Sequence, residues 1–192
     1  MSPVHVSDVV PLADLESLMA GYQQASEDAA RALIERLSPV LLRYFRVRES
    51  SRRHAEDLLQ ETWMRVHTAR HTHRKGEPVL PWIFAIARHT RLDRHRKMRR
   101  IEGHEIQVEI LPQATSAAGP ELGPAAPDLD ALLAALPASQ REVIVMLKVT
   151  GMSLEEVARA TASSVGSVKQ KAHRAYEKLR TVLAGKWRAN EA

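Results

Sequence analysis

The chain has 192 residues, a length that suits one large domain or two small ones. Hydrophobic residues make up 44% and aromatic residues only 4%, so we expect a core of aliphatic side chains in helices. There is no cysteine, which excludes disulfides, thiolate catalysis and cysteine-ligated metal centres. No secretory signal is recognisable at the start, and no apolar stretch reaches the roughly 18 residues of a membrane span. We therefore expect a helical, cytoplasmic protein.

Charge alternates along the chain. Residues 1–24 carry a net charge of −3 and residues 101–136 a net charge of −6, with no lysine or arginine in either segment. Residues 25–100 contain 18 basic and 9 acidic side chains, and residues 137–192 contain 10 and 5. Basic side chains bind nucleic acid by displacing counterions from phosphates, so the two basic blocks predict a polyanion contacted at two places. The acidic segment between them is rich in proline and glycine and has the composition of a linker.

The first basic block begins with two predicted helices. Ser26, followed by two acids, predicts the start of an amphipathic helix that is bent or broken near Pro39. A second helix is predicted from Ser50 or Ser51 onward, with apolar residues at steps of three and four. Its polar side contains Asp57, Gln60 and Glu61. Taken alone, these three residues indicate only a solvated helix face.

A strongly basic helix is predicted next. Pro81 suits the first turn of the segment PWIFAIARHTRLDRHRKMRR, in which apolar residues crowd the start and seven basic residues follow from Arg88 to Arg100. This pattern is typical of a helix that binds nucleic acid or lies on a membrane surface, and composition does not separate the two. Three histidines precede the helix without a further ligand at recognisable spacing, so we expect no metal site at His67, His71 and His73.

The second basic block has the pattern of a helix-turn-helix. Two Ser-x-x-Glu capping boxes, beginning at Ser139 and Ser153, mark two helix starts. After a short turn over residues 161–163, Ser164 caps a third helix with apolar residues at steps of three and four. The opposite side of this helix is polar and basic, and it consists of Ser167, Lys169, Gln170, Lys171, His173 and Arg174. Such a helix places its side chains against base edges in the major groove of DNA.

Together, the two blocks resemble the extracytoplasmic-function (ECF) sigma factors of the sigma-70 family. The segment AEDLLQETWMRVH is similar to the one with which these proteins grip the clamp helices of core RNA polymerase. PWIFAIARHTRLDRHRKMRR resembles their promoter −10 helix, and LPASQREVIVMLKVTGMSLEEVARATASSVGSVKQKAHRAYEKLR resembles their −35 domain. The resemblance covers roughly 160 residues in the same order, so it is more specific than a lone helix-turn-helix.

The resemblance implies an all-α protein with two small helical domains. A sigma-2-like helical bundle and a sigma-4-like helix-turn-helix would be joined by a flexible linker. The implied boundaries are 1–24 for an N-terminal tail or first helix, 25–100 for the first domain, 101–133 for the linker, 134–186 for the second domain and 187–192 for a tail.

The resemblance also implies a role for each candidate site. Asp57, Gln60 and Glu61 would bind core polymerase. The −10 element would contact Trp82, Arg88, Arg91, Arg94, Arg96 and Lys97, although Trp82 at the start of a packed helix suits the core equally well. The polar side of the last helix, from Ser167 to Arg174, would read the −35 element. Ala162 and Ser163 replace the glycine and aliphatic residue common in the family's turn, so the turn lacks a residue that tolerates left-handed backbone.

The implied partners are core RNA polymerase, promoter DNA and an anti-sigma factor, which in this family is often membrane-bound and would hold the protein at the inner membrane face. No cofactor and no small-molecule substrate are implied, and catalysis stays with the polymerase, so the protein would not be an enzyme. Two alternatives are a free-standing helix-turn-helix regulator and a peripheral membrane protein that uses the basic helix. No nucleophile, base and orienting group can be placed together, so a hydrolase has no support.

Overall fold

A computed structural model of the chain describes residues 12–49, 51–101 and 129–190. These ranges contain helices and no strand, which confirms the predicted all-α class. The N-terminal helices are α1 (Leu12–Gln23), α2 (Glu27–Arg46), α3 (Arg52–Ala69) and α4 (Val79–Ile101), with a 3-10 turn at Arg70–Thr72. The C-terminal helices are α5 (Leu129–Ala134), α6 (Ala138–Lys148), α7 (Leu154–Thr161) and α8 (Val165–Asn190). Within the described ranges, no helix is long and apolar enough to cross a membrane.

Helix α2 is the central element of the N-terminal helices. The Ser26 hydroxyl accepts a hydrogen bond from the Ala29 N–H at 3.3 Å, which confirms the predicted cap. The helix continues through Pro39 to Arg46, so of the two predicted outcomes, a bend or a break, the break does not occur. Proline removes the hydrogen bond to the carbonyl of Glu35, and both residues lie on the exposed side of the helix. Water can therefore solvate that carbonyl, and the helix need not end.

An aromatic cluster sets the position of α4 against α2. Tyr44 meets Phe45 and Phe84 edge-on, each with 5.3 Å between ring centroids, and all three side chains are fully buried. Edge-to-face contacts of this kind stabilise aromatic pairs beyond the area they bury. Because Phe84 lies in the first half of α4, the cluster anchors that half and leaves the basic end of the helix farther from the core.

Of the two capping boxes predicted for the C-terminal helices, one is confirmed and one is wrong. The Ser153 N–H donates to Glu156 Oε2 at 2.7 Å, and the Glu156 N–H donates to Ser153 Oγ at 3.2 Å, so the second box is confirmed. The box predicted from Ser139 is wrong, because α6 begins directly after Pro137 and no side chain caps it. Its glutamate, Glu142, instead accepts a hydrogen bond from Tyr44 of α2 and forms ion pairs with Arg48, just after α2, and Arg88 of α4.

The turn between α7 and α8 adopts a left-handed backbone without glycine. Ala162 has φ 50°, and its N–H donates to the carbonyls of Ala158 and Arg159. The Ser163 N–H also donates to the Ala158 carbonyl at 2.9 Å. A left-handed alanine costs about 1–2 kcal/mol, which these turn hydrogen bonds offset. The Ser167 N–H then donates to Ser164 Oγ at 3.2 Å, which confirms the predicted cap of α8.

The two sets of helices pack against each other. Helix α4 lies along α7, and α2 contacts α6. Helix α4 therefore contacts both α3, in its own set of helices, and α7, the first helix of the helix-turn-helix.

Candidate functional site

The three residues predicted to bind polymerase all lie on α3. Gln60 is exposed, whereas Asp57 and Glu61 are half-buried. Asp57 Oδ2 accepts a hydrogen bond from Arg94 Nη2 at 3.0 Å, and Glu61 Oε1 accepts one from Arg65 Nη2 at 2.7 Å. Two of the three therefore form ion pairs within the protein, and Gln60 is the most accessible of them.

Arg65 links α3 to the basic helix α4. Its Nη1 donates to Asp93 Oδ2 at 2.7 Å, while Arg96 Nη1 lies 3.5 Å from the other oxygen of the same carboxylate. The hydrogen bond from Arg65 holds the pKa of Asp93 below its ordinary value and raises the pKa of Arg65. Together with the Asp57–Arg94 pair, the Arg65–Asp93 pair links α3 to α4 by ion pairs, with the acid on α3 in one pair and on α4 in the other. The groups are partly exposed, so each pair contributes modestly.

The residues predicted to bind the −10 element lie on several sides of α4. Trp82 is half-buried at the start of the helix and packs partly against the core. Arg88 and Arg91 are turned toward the interface with the C-terminal helices, whereas Arg94 is paired with α3. Arg96 and Lys97 are exposed. At about 100° per residue, a step of three residues turns the direction by about 60°, so Arg88, Arg91 and Arg94 turn progressively from the interface toward α3.

The loop before α4 is held in place from α1. Gln23 Nε2 donates to the carbonyls of Arg70 and His73 at 2.7 and 2.8 Å. The His73 ring is buried edge-on against Trp82, with 5.4 Å between ring centroids, and its Nε2 has no hydrogen-bond partner in the described part of the chain. Gln23 was missed by the sequence analysis, because no motif marks a side chain that supports a loop 47 residues away.

The three histidines near this loop have different surroundings. His67 Nδ1 lies 2.9 Å from the Tyr22 hydroxyl, His71 is exposed, and His73 is buried. Among the residues that the structure describes, no three histidine, aspartate or glutamate side chains gather into a metal-binding cluster.

Helix α8 presents the predicted −35 side to solvent. Val168, Ala172 and Ala175 are buried on the opposite side, which confirms the apolar stripe. On the polar side, Ser167 and Lys171 are half-buried, and the exposed residues are Lys169, Gln170, His173 and Arg174. The helix therefore exposes amide, imidazole and cationic groups near its N-terminus, as a major-groove reading helix requires.

A polar cluster at the interface between the two sets of helices was not predicted. The Tyr44 hydroxyl donates to Glu142 Oε1 at 2.8 Å, and Arg48 Nη1 lies 3.2 Å from the same oxygen. Arg141 Nη1 donates to the Val47 carbonyl at 2.6 Å. The only signal in the sequence was Glu142, whose spacing from Ser139 indicated a helix cap instead.

Models of known protein families match segments in both basic blocks. The model for sigma-70 region 2 matches residues 33–101, and the model for sigma-70 region 4 matches residues 127–179. Together they cover more than half of the chain. The chain is 35% identical over 176 residues to the ECF RNA polymerase sigma factor SigD of Mycobacterium tuberculosis, covering 86% of this chain and 82% of that protein. It is 32% identical over 167 residues to the RNA polymerase sigma factor CarQ of Myxococcus xanthus, covering 86% and 95%.

Solved structures give the same result. The sigma factor RpoE of Bartonella quintana, solved in complex with the anti-sigma factor NepR, matches with a TM-score of 0.64 and 26% identity, covering 83% of this chain and 98% of that one. The fold of CnrH, solved with the cytosolic domain of CnrY, also matches with a TM-score of 0.64 at 23% identity, covering 88% and 97%. The two helical domains, their order and their sequences agree with these relatives, and the protein belongs to the ECF group of sigma-70 family RNA polymerase sigma factors.

Proposed function

We propose that this ECF sigma factor binds core polymerase through α3, the −10 element through α4 and the preceding loop, and the −35 element through α8. The observation that carries the proposal is the surface of α8, which exposes polar and basic side chains near its N-terminus while its apolar side is buried. A helix of this kind, placed after a capped helix and a tight turn, fits the major groove.

The proposed functions are assigned to the two basic blocks separately. Residues 25–100 would form the domain that binds polymerase and the −10 element, and residues 134–186 the domain that binds the −35 element. Residues 101–133 would connect them. Of this segment, residues 102–128 lie outside the described ranges, and α5 begins at Leu129. This connection would let the two domains reach DNA elements at a fixed separation.

On this proposal the protein is not itself an enzyme, and it acts in the cytoplasm where the polymerase works. Its contribution to strand opening would be to hold unstacked bases. Releasing a base from the stack costs a few kcal/mol, which stacking on an aromatic ring and phosphate contacts can offset. Trp82 is half-buried, so part of its ring remains available for such a contact, and Arg96 and Lys97 are exposed for phosphates.

We also propose an anti-sigma factor as a regulatory partner. The support is the likeness to the Bartonella quintana sigma factor, which was solved with its anti-sigma factor NepR. Such a partner would act by covering surfaces that polymerase or DNA needs, and α3 and α8 are the surfaces exposed for it here.

The test is run-off transcription with purified core polymerase on fragmented DNA from the source genome, with and without the protein. We expect discrete new transcripts that share sequences at −35 and −10. The matched control is the double variant Lys171→Ala/Arg174→Ala, which should lose transcripts that depend on a −35 element. Tight DNA binding by the protein alone, with no new transcripts, would instead favour a free-standing helix-turn-helix regulator.

A further inference from the structure

One carboxylate at the domain interface lies among several cationic groups. Glu142 of α6 is nearly buried, and its Oε1 accepts the hydrogen bond from the Tyr44 hydroxyl at 2.8 Å. The same oxygen lies 3.2 Å from Arg48 Nη1 and 3.8 Å from Arg88 Nε. Arg91 is close enough to interact electrostatically with both Tyr44 and Glu142. Tyr44 lies on α2, Arg48 lies directly after α2, and Arg88 and Arg91 lie on α4, whereas the carboxylate comes from the other set of helices.

The charges in this cluster do not balance. Three arginines, Arg48, Arg88 and Arg91, face two carboxylates, because Arg91 also interacts electrostatically with Glu49, which lies 3.2 Å from His95. Arg91 Nε is buried and has no hydrogen-bond partner in the described part of the chain. Burial, and secondarily the charge of Arg48, lower the pKa of Arg91. A cluster with an excess of positive charge and an unused donor suits a further anion that offers several acceptor oxygens.

We infer that Tyr44, Arg48, Arg88 and Arg91 form a phosphodiester-binding site for promoter DNA, and that Glu142 occupies this site when the two domains are closed. This inference rests on the proposed function and deepens it, because it adds Tyr44 and Arg48 to the DNA-binding surface. We call the four residues the interdomain anion site. Arginine and a phenolic hydroxyl are suitable phosphate ligands, and such contacts position a protein on DNA without reading its sequence.

The structure makes closure and DNA binding at this site mutually exclusive. The carboxylate occupies the position that a phosphate oxygen would take, and α7 packs against α4 in the closed arrangement. Closure is held by further contacts that do not use the anion site, among them the hydrogen bond from Arg141 to the Val47 carbonyl. Separation of the domains would expose the site, and a DNA phosphate would then compete with Glu142 for it.

The test uses the full chain and a fluorescein-labelled, mixed-sequence single-stranded DNA of 20 nucleotides, with binding measured by fluorescence anisotropy. Glu142→Gln keeps the shape of the side chain and removes its charge. We expect this variant to bind the DNA about threefold to tenfold more tightly than the wild type. The slope of log K against log salt should also steepen by about 0.7 for each phosphate gained, which a purely structural change would not produce. The exposed Glu155→Gln on α7 is the control for the same change in net charge.

A second variant separates the anion site from domain opening. In the background of Glu142→Gln, Arg48→Gln should abolish most of the gain in affinity and return the salt slope toward that of the wild type. Because the chain has no cysteine, spin labels at Glu35→Cys and Lys178→Cys, both exposed, report the distance between the domains. We expect this distance to broaden toward longer values in both the single and the double variant.

The results that overturn the inference are specific. If Glu142→Gln changes the DNA affinity no more than Glu155→Gln does, Glu142 does not compete with phosphate. If Arg48→Gln leaves the full gain in place, the anion site is not where the phosphate binds. Run-off transcription with the wild type tests the proposed function separately, since the binding assay contains no polymerase.

Discussion

Asp57 and Arg94, which the family resemblance assigns to two different partners, form an ion pair with 3.0 Å between Oδ2 and Nη2. The aspartate lies on the helix proposed to bind polymerase, and the arginine lies on the helix proposed to bind DNA. Replacing either residue therefore removes an internal contact as well as the proposed external one. A clean test of each interface needs residues outside this pair.

For the polymerase interface, Gln60 is the residue of choice, because it is exposed and its neighbour Asp57 carries the internal pair. We expect Gln60→Ala to weaken association with core polymerase while the DNA-binding surface of α8 is unaffected. The loss of a single interface side chain is typically about 1 kcal/mol, or roughly fivefold in affinity. Co-purification with core enzyme and a titration by anisotropy measure it, with Glu35→Gln on α2 as the control. Unchanged association would remove Gln60 from the interface.

For the −35 interface, we expect Lys171→Ala or Arg174→Ala to reduce transcription from a −35-dependent promoter while core binding survives. A side chain that contacts a base edge contributes about 1–3 kcal/mol, so the loss should be about fivefold or more at limiting protein. Lys178→Ala is a matched control, because Lys178 is exposed on the same helix two turns beyond Lys171 and so farther from the DNA. An equal loss of core binding by either variant would contradict this assignment.

The turn of the helix-turn-helix should tolerate glycine. Ala162 has φ 50°, a region that glycine adopts without the steric cost borne by alanine. We expect Ala162→Gly to raise the free energy of unfolding by about 0.5–1 kcal/mol, because the relieved strain exceeds the added entropy of the unfolded chain. Urea unfolding followed by circular dichroism measures the change. Ala85→Gly in the interior of α4 should lower stability by about 1 kcal/mol, and a loss at both positions would show that Ala162 is not strained.

Helices α1 and α2 meet at Gly21. A Cβ atom added at Gly21 would lie 2.8 Å from the Cβ of Ala29, so the two helices must move apart to accept one. We expect Gly21→Ala to destabilise the protein by about 1–3 kcal/mol. Adding Ala29→Gly removes the obstructing atom, so the double variant should be more stable than the sum of the two single effects predicts. Additive effects in a urea-unfolding cycle would mean that the two residues do not collide.

The Arg65–Asp93 pair makes stability depend on pH. The hydrogen bond from Arg65 holds the pKa of Asp93 below its ordinary value, so the pair stabilises the folded protein above about pH 4. The contribution is lost as the pH falls through the lowered pKa and the carboxylate is protonated. Asp93→Asn should therefore lower the free energy of unfolding at pH 7 by roughly 0.5 kcal/mol, since the pair is partly exposed. The difference in free energy of unfolding between Asp93→Asn and the wild type should vanish in strong acid.

Much of the secondary structure could be predicted from local chemistry. The caps at Ser26, Ser153 and Ser164 are formed by side chains that satisfy backbone N–H groups a few residues away, so sequence spacing is enough to identify them. Pro39 does not break its helix and Ser139 does not cap α6, because both outcomes depend on surroundings that sequence spacing does not encode. The exposed position of Pro39 allows the helix to continue, and Glu142 bonds to Tyr44 and Arg48 of the N-terminal helical domain instead of capping its own helix.

The sequence by itself determined the all-α class, the amphipathic side of α8 and the family, because periodicity and motif order are properties of neighbouring residues. Only the tertiary structure decided which charged groups meet. It paired Asp57 with Arg94, supported the loop before α4 with Gln23 and placed Glu142 among arginines of the other domain. Coulombic and hydrogen-bond partners are chosen by distance in space, and these contacts join residues 37, 47 and 94 positions apart in the chain.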